Sequence, residues 1–316
     1  MPLKSAAAIG AIVAALAVLY FWRLAALPGA LLGNVLVTGF LTGLVYGLMA
    51  LGLSVIFGVV RVVNFAHGEM MTIAMYASVF LFAALKLDPF ITLFPVAIAF
   101  FVFGYALQAG LINPFVERPE HSQFMLLVAV AIIMVNVLLM AFGPDARSVQ
   151  VDYALESFEV GPLVIDKVRV YAAAVAILLA SGLFAFFRVT ATGRAIRACA
   201  DNLLGAKVVG LNVKRYYALT FGIGSALVGA AGVLQVMLVD VTPALGPAYT
   251  LLAFVIVIVG GLGSMGGALA GGVLIGVSEA LAGVAFTPSA KSMFSFALLI
   301  LVLLLRPQGL LGKKAA

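Results

Sequence analysis

The string NVLVTGFLTGLVYGLMALGLSVIFGVV fills residues 34–60 without one charged side chain, and RVVNFAHGE follows it at residues 61–69. A helix that crosses a bilayer needs about 20 mainly apolar residues. The first string is therefore long enough to span. The second breaks the apolar run with Asn64, His67, Gly68 and Glu69. The fold class depends on whether strings like the first recur.

They recur along the whole chain, at roughly 6–22, 34–60, 67–85, 90–112, 124–142, 170–188, 217–239, 249–263, 267–286 and 290–305. The eighth is only about fifteen residues, which fits a tilted span, a re-entrant segment or half of a broken helix. About eight to ten spans are expected. Composition agrees: of 316 residues, 65% are hydrophobic and 9% charged, against about 25% charged in a soluble domain. A soluble enzyme, a disordered chain and a disulfide scaffold are excluded. An outer-membrane barrel is disfavoured because the runs are continuous rather than alternating. The single cysteine, Cys199, rules out an intrachain disulfide and any cysteine metal cluster. The expectation is an all-α polytopic membrane protein forming one transmembrane domain over residues 1–316.

The first run has a rival reading. Lys4, an apolar stretch and then Ala25, Ala26 and Ala30 resemble a cleavable signal peptide. The stretch is long for that, and Tyr20, Phe21 and Trp22 lie where an interfacial belt would. An uncleaved span is favoured.

The net charge is +6, from 18 basic and 12 acidic residues. Nine of the cations sit in two places: Arg188, Arg194, Arg197, Lys207, Lys214 and Arg215, then Arg306, Lys313 and Lys314. Such placement marks cytoplasmic segments and does not call for nucleic acid. Four expected spans separate the two groups, so both fall on one side. Six spans precede the first group, which puts the N-terminus inside as well. The segment 143–169 then faces outward, with Asp145, Asp152, Glu156, Glu159 and Asp166 against Arg147, Lys167 and Arg169. The loop 113–123, placed inside, carries Arg118 as its one cation.

Gly39, Gly43 and Gly47 recur every fourth residue, and so do Gly267 with Gly271 and Gly272 with Gly276. Residues four apart share a helix face. Glycine there lets backbones approach closely, where lipid gives no hydrophobic drive for association. Packing within one subunit and a dimer seam both fit. The run GGLGSMGG at 260–267 lacks the Lys-Ser or Lys-Thr of a phosphate loop and reads as a turn between spans.

Buried charge costs roughly 2.5–3.5 kcal/mol on insertion scales, so polar residues among apolar runs need a reason. The 61–69 string fits a cytoplasmic turn, a discontinuous helix facing a pathway, or a proton relay through His67 and Glu69. Two residues apart, those side chains do not share a helix face. Asn136, Gln235 and Glu279 either line a polar path or bond between helices, and Asp240 is expected at the outer interface. Two histidines far apart and no Ser-His-Asp or His-Glu-x-x-His arrangement leave no sign of catalysis. No cofactor or metal is implied.

The segment 193–215 is too polar to span and too long for a simple turn. Ile196, Leu203 and Val208 among polar residues suggest an amphipathic cytoplasmic helix, with a solvated loop as the alternative.

Four stretches together carry a family resemblance. They are 47–54 leading into 62–69; 142–149; 193–211 followed by Ala218-Leu219-Thr220-Phe221; and 260–272 with the tail 306–312. The chain resembles the permeases of branched-chain amino acid ABC transporters (LivH type) from about residue 35 to its end. The Asn-Phe-Ala-His-Gly-Glu string and the basic loop are the specific parts; the glycine runs are not. The resemblance implies a type II-like importer permease in the bacterial inner membrane with both termini cytoplasmic. It implies a coupling loop at about 189–215 that docks an ATPase through Arg194, Arg197, Asp201, Ala206 and Gly210. It also implies ABC ATPase subunits, a substrate-binding protein and a second permease as partners, a heterodimer being favoured over a homodimer. Two departures stand out. Leu204-Gly205 replaces a common Glu-Ala pair, and the first 30 residues exceed the family core.

The chain has no Walker motif, so if it pumps, a separate ATPase must supply the energy. Importers of urea, a short amide or an aromatic acid share this outline. A proton-coupled transporter and a passive channel belong to other classes.

Overall fold

The computed structural model describes residue 20, residues 22–116 and residues 118–312. The expected span at 6–22 lies outside these apart from Tyr20 and Trp22. Nine helices among the described residues are long and apolar enough to cross a membrane.

The helices are α1 (Gly29–Val60), α2 (His67–Leu85), α3 (Pro89–Leu107), α4 (Glu120–Phe142), α5 (Lys167–Val189), α6 (Ala191–Asp201), α7 (Leu203–Val208), α8 (Val213–Val236), α9 (Gly246–Gly260), α10 (Met265–Ala285) and α11 (Lys291–Leu305). Local sequence sets many of the starts. Asp88 accepts from Phe90 N at 2.8 Å, Thr190 from Gly193 N at 2.9 Å, Asn212 from Arg215 N at 3.2 Å and Ser264 from Gly267 N at 3.1 Å. Each side chain satisfies a donor that helix geometry leaves free.

The bundle is built around α1 and α8, whose spanning windows are 83% buried, whereas α11 is 6% buried and lies at the periphery. Helix α10 runs antiparallel to α1 along the expected glycine stripe. A Cβ on Gly43 would lie 2.7 Å from Val273 Cα, and one on Gly276 would lie 2.5 Å from Gly43 Cα. Gly267 and Gly271 face α9 instead, against Gly260 O and Ile256 O. Both stripes are thus packing contacts inside one subunit. Gly261 and Gly263 take φ of 109° and 75° in the turn between α9 and α10, as a turn reading of GGLGSMGG requires.

The two ends of the bundle differ in charge. At one end Arg61, Arg197, Asp201, Gly263, Pro307 and Gln308 meet around a common cavity; we refer to this as the basic end. At the other, Asn34 accepts from Val164 N at 2.9 Å, Arg169 reaches Thr42 at 2.8 Å and Tyr153 donates to Asp88 at 2.7 Å. Burial and the Asp88 bond hold the Tyr153 phenol above its ordinary pKa. The sequence separates the same groups, six cations against the acids of 143–169.

That acidic loop contains an element the all-α expectation omits. Ser157–Val160 pairs antiparallel with Leu163–Asp166 across Gly161-Pro162. Glycine takes φ 62° in the turn, and the flanks alternate and carry β-branched residues.

The eighth expected span, 249–263, is also displaced. Helix α9 ends at Gly260 and begins at Gly246, after a 3-10 turn Pro243–Leu245. Its 15 residues rise about 22 Å, short of a roughly 30 Å hydrocarbon core, and it counts among the nine membrane-length helices only together with the 3-10 turn, as Pro243–Gly260. The chain before it is irregular but sheltered: Val241 is 0% exposed and exchanges both backbone hydrogen bonds with Arg147. Irregular backbone is tolerated at such depth where protein covers it.

Candidate functional site

The string 61–69 forms more than a simple turn. Helix α1 ends on Arg61, a non-glycine residue in the left-handed region at φ 59°. Residues 61–66 then run back alongside α1, and Val62, Asn64 and Ala66 are buried. Asn64 Oδ1 accepts from Ala66 N at 3.1 Å, which turns the chain into α2. His67 is level with Met49, whose carbonyl lies 3.0 Å from His67 Nε2. That is eleven residues back from Val60, or about 16 Å of helix. The carbonyl only accepts, so Nε2 carries the proton. Helix α2 therefore starts deep inside the bundle, the discontinuous form among the readings.

Glycine and glutamate at 68 and 69 are explained by α9. Gly68 N donates to Thr250 Oγ1 at 2.8 Å, and Thr250 Oγ1 donates to Glu69 Oε2 at 3.0 Å. A Cβ on Gly68 would lie 2.0 Å from Gly246 O, so no larger residue fits. A Cβ on Gly246 would meet Glu69 Cγ at 2.9 Å. The first turns of α2 and α9 thus lie side by side, and the helices leave this junction in opposite directions. Their partial positive ends converge on the Glu69 carboxylate. Two donors at this start are occupied: Thr250 takes Gly68 N, and Asn64 takes Ala66 N just ahead of the helix. His67 and Glu69 share no hydrogen bond, so the relay reading gains no support from the geometry.

From the basic end a cavity of about 1490 Å³ runs up to this break. Ser54, Arg61, Val63 and Phe65 line one wall, His121, Gln123 and Phe124 of the α4 start another, and Arg197 and Asp201 the mouth. The tail closes the remaining side: Leu310 N and Leu311 N donate to Val259 O and Gly260 O, each at 2.9 Å.

The basic loop is folded, as two helices rather than one. Asn202 leaves α6 with φ −146° and ψ 98° and caps α7 through Gly205 N at 2.8 Å. This break resets the helical face. Ile196 and Cys199 are buried, but Leu203 is 39% and Val208 87% exposed, so the expected single apolar stripe is not continuous. Burial pushes the Cys199 thiol above its ordinary pKa. Arg194 bonds Val189 O at 2.9 Å, across the end of α5. Arg197 and Asp201 face the cavity. Ala206 is buried and packs α7 onto the body. Gly210, at φ 81°, closes α7: its N–H reaches Lys207 O and Leu211 N reaches Ala206 O, the double bond pattern of a Schellman cap.

Sequence reasoning missed the exposed apolar knob formed by Leu204 and Val208 of α7 with Val209 at its C-cap. It also missed Thr250, which is 181 residues from Glu69 and carries no local signal. Of the isolated polar residues, Gln235 is buried, Glu279 accepts from Ser295 at 2.7 Å, and Asp240 is exposed. Asn136 lies on an exposed face of α4 and bonds Ile132 O at 2.7 Å.

A family model described as branched-chain amino acid transport system / permease component matches residues 35–303. The high-affinity branched-chain amino acid transport permease LivH of Escherichia coli is 33% identical over 289 residues, 87% of this chain and 94% of that protein. Its counterpart BraD of Pseudomonas aeruginosa is 32% identical over 291 residues, 88% and 95% of the two chains. A probable LivH of Methanocaldococcus jannaschii is 27% identical over 280 residues, covering 84% and 88%. Among solved structures, PsaBC from Streptococcus pneumoniae in complex with Fab aligns over 92% of this chain and 96% of that one, at a TM-score of 0.47 and 14% identity.

Proposed function

The chain belongs to the branched-chain amino acid transport permease family, and from that premise we propose that it is the permease subunit of an ATP-binding cassette importer. It moves branched-chain or related amino acids across the inner membrane with energy from a separate ATPase. The observation that carries this reading is the cavity, because one continuous space joins the folded basic loop to the buried helix break. A loop moved by ATP binding therefore lies against the same space as the residues that hold α2 and α9 together. ATP-driven closure of the ATPase subunits would bias the bundle between two states.

In this assignment the basic end is cytoplasmic and the hairpin end receives cargo from a binding protein. Leu204 and Val208 of α7, with Val209 at its C-cap, enter a groove on the ATPase, while Arg194, Arg197 and Asp201 surround the contact. Gly210 and Ala206 shape and seat that loop. Asn64, His67 and Glu69 fix the break in the pathway wall. A second permease subunit, in a heterodimer, covers the faces left open here. An importer of urea, a short amide or an aromatic acid is the second reading, favoured only by the few polar side chains on the cavity wall, among them Ser54, Gln123 and Gln308. The test is reconstitution of the chain with its ATPase, second permease and binding protein, followed by uptake of labelled leucine, urea and benzoate. ATP-dependent uptake of leucine alone supports the proposal. Uptake of urea or benzoate in its place reassigns the cargo.

A further inference from the structure

Three aromatic rings from three separate elements meet at the floor of the cavity. Phe65 belongs to the connecting segment, Phe124 to the first turns of α4 and Phe254 to α9. The Phe65 ring stands edge-on to Phe124 with centroids 4.6 Å apart, and tilts against Phe254 at 5.2 Å. Phe65 and Phe124 both line the cavity. Directly behind Phe65 lies the α2–α9 junction, where Thr250 Oγ1 is 3.5 Å from Phe65 O and Thr250 is 5% exposed.

We propose that Phe65, Phe124 and Phe254 form the inner gate of the transport path, with Phe65 as the leaf that moves. Apolar constrictions close a pore by excluding water, and they open with a small lateral displacement. Phe65 is suited to such movement because residues 62–64, beyond the Arg61 cap of α1, carry no helix, so shifting them breaks no helical hydrogen bond. The segment is hinged at Arg61, whose left-handed backbone turns the chain. Arg61 also lines the smaller cavity under α6 and α7, together with Asp201, Leu203 and Leu204. A shift of the basic loop therefore acts on the residue from which the gate segment hangs. Phe124 sits on a helix with 22% of its spanning window buried, so few contacts within this chain hold α4 on the other side. This inference rests on the cavity being the inward end of the path.

The experiment measures access and requires no knowledge of the cargo. Thr250→Cys is introduced in a Cys199→Ser background and the full transporter is placed in membrane vesicles without nucleotide. A membrane-impermeant thiol reagent is added from the basic side or, in a second arm, from the opposite side. The expected result is slow labelling with the native rings and a rate about tenfold or more higher from the basic side only in Phe65→Ala or Phe124→Ala. Phe65→Trp should stay slow. Equal rates in Phe65→Ala, Phe124→Ala and the parent overturn the gate, as does fast labelling of the parent or of Phe65→Trp. Phe124 is 43% exposed, so if Phe65→Ala fails to elute as a single species, Phe124→Ala decides alone. Acceleration from the opposite side only would keep a gate but overturn the assignment of the basic end.

Discussion

Alanine at Gly272 or Gly276 should loosen the α1–α10 seam measurably, whereas alanine at Gly182 should not. A Cβ on Gly272 would sit 2.4 Å from both Gly47 Cα and Gly47 N, and one on Gly276 would sit 2.5 Å from Gly43 Cα and 2.6 Å from Gly39 O. Carbon atoms pack best at about 3.5–4.0 Å. Each alanine thus has to drive two backbones apart by about 1 Å, with no flexible side chain in the way to absorb the shift. Overpacking of this kind costs about 1–3 kcal/mol. Better helix propensity returns up to about 1 kcal/mol, and because the clash here is with backbone atoms the overpacking cost lies toward the upper end, leaving a net loss of up to about 2 kcal/mol. The double variant should cost less than the sum, because the first alanine already opens the seam the second needs. Gly182 has nothing within 4 Å of its would-be Cβ, so there the propensity gain acts unopposed. Thermal unfolding in detergent, followed by size-exclusion elution, measures the difference. At about 2–4 °C per kcal/mol for chains near this size, Gly272→Ala and Gly276→Ala should melt a few degrees lower and Gly182→Ala no lower. Three equal melting curves, or a lower one for Gly182→Ala alone, would refute the seam.

Other substitutions probe the site. Arg61→Gly should be neutral or stabilising and Arg61→Val destabilising, because the left-handed region costs a side chain about 1 kcal/mol; melting temperatures check this. Thr250→Val removes the acceptor of Gly68 N and the donor to Glu69, and should cost about 1–3 kcal/mol for the stranded groups, read as a lower melting temperature. Leu204→Asp and Val208→Asp, at side chains 75% and 87% exposed, should leave the isolated chain's melting temperature unchanged while the ATPase no longer co-purifies. Asn202→Ala should remove about 1 kcal/mol of capping at α7 and lower the transport obtained per ATP hydrolysed.

Much of the fold is legible because the membrane imposes it. With no water in the bilayer core, helices must satisfy their own backbone, and length and charge alone then locate them. The separation of cations at 188–215 from acids at 143–169 likewise survives folding as two distinct ends. What stayed hidden is non-local or depends on a single capping residue. The three readings of 61–69 differ in whether Gly68 meets a helix 182 positions away, and no spacing in the string encodes that. The basic loop reads as one amphipathic helix because Ile196, Leu203 and Val208 look like one stripe. Asn202 divides it and turns Val208 outward. The hairpin at 157–166 is hidden because two four-residue strands form no long apolar run.

The most direct test of transport coupled through this loop and cavity is the driving force for leucine uptake in vesicles holding the assembled transporter. Uptake is expected to need ATP on the basic side and binding protein on the hairpin side, to persist when the proton gradient is collapsed, and to be lost in Val208→Asp. Uptake by the chain alone that follows a proton gradient without ATP, or that runs downhill needing neither, would contradict that coupling.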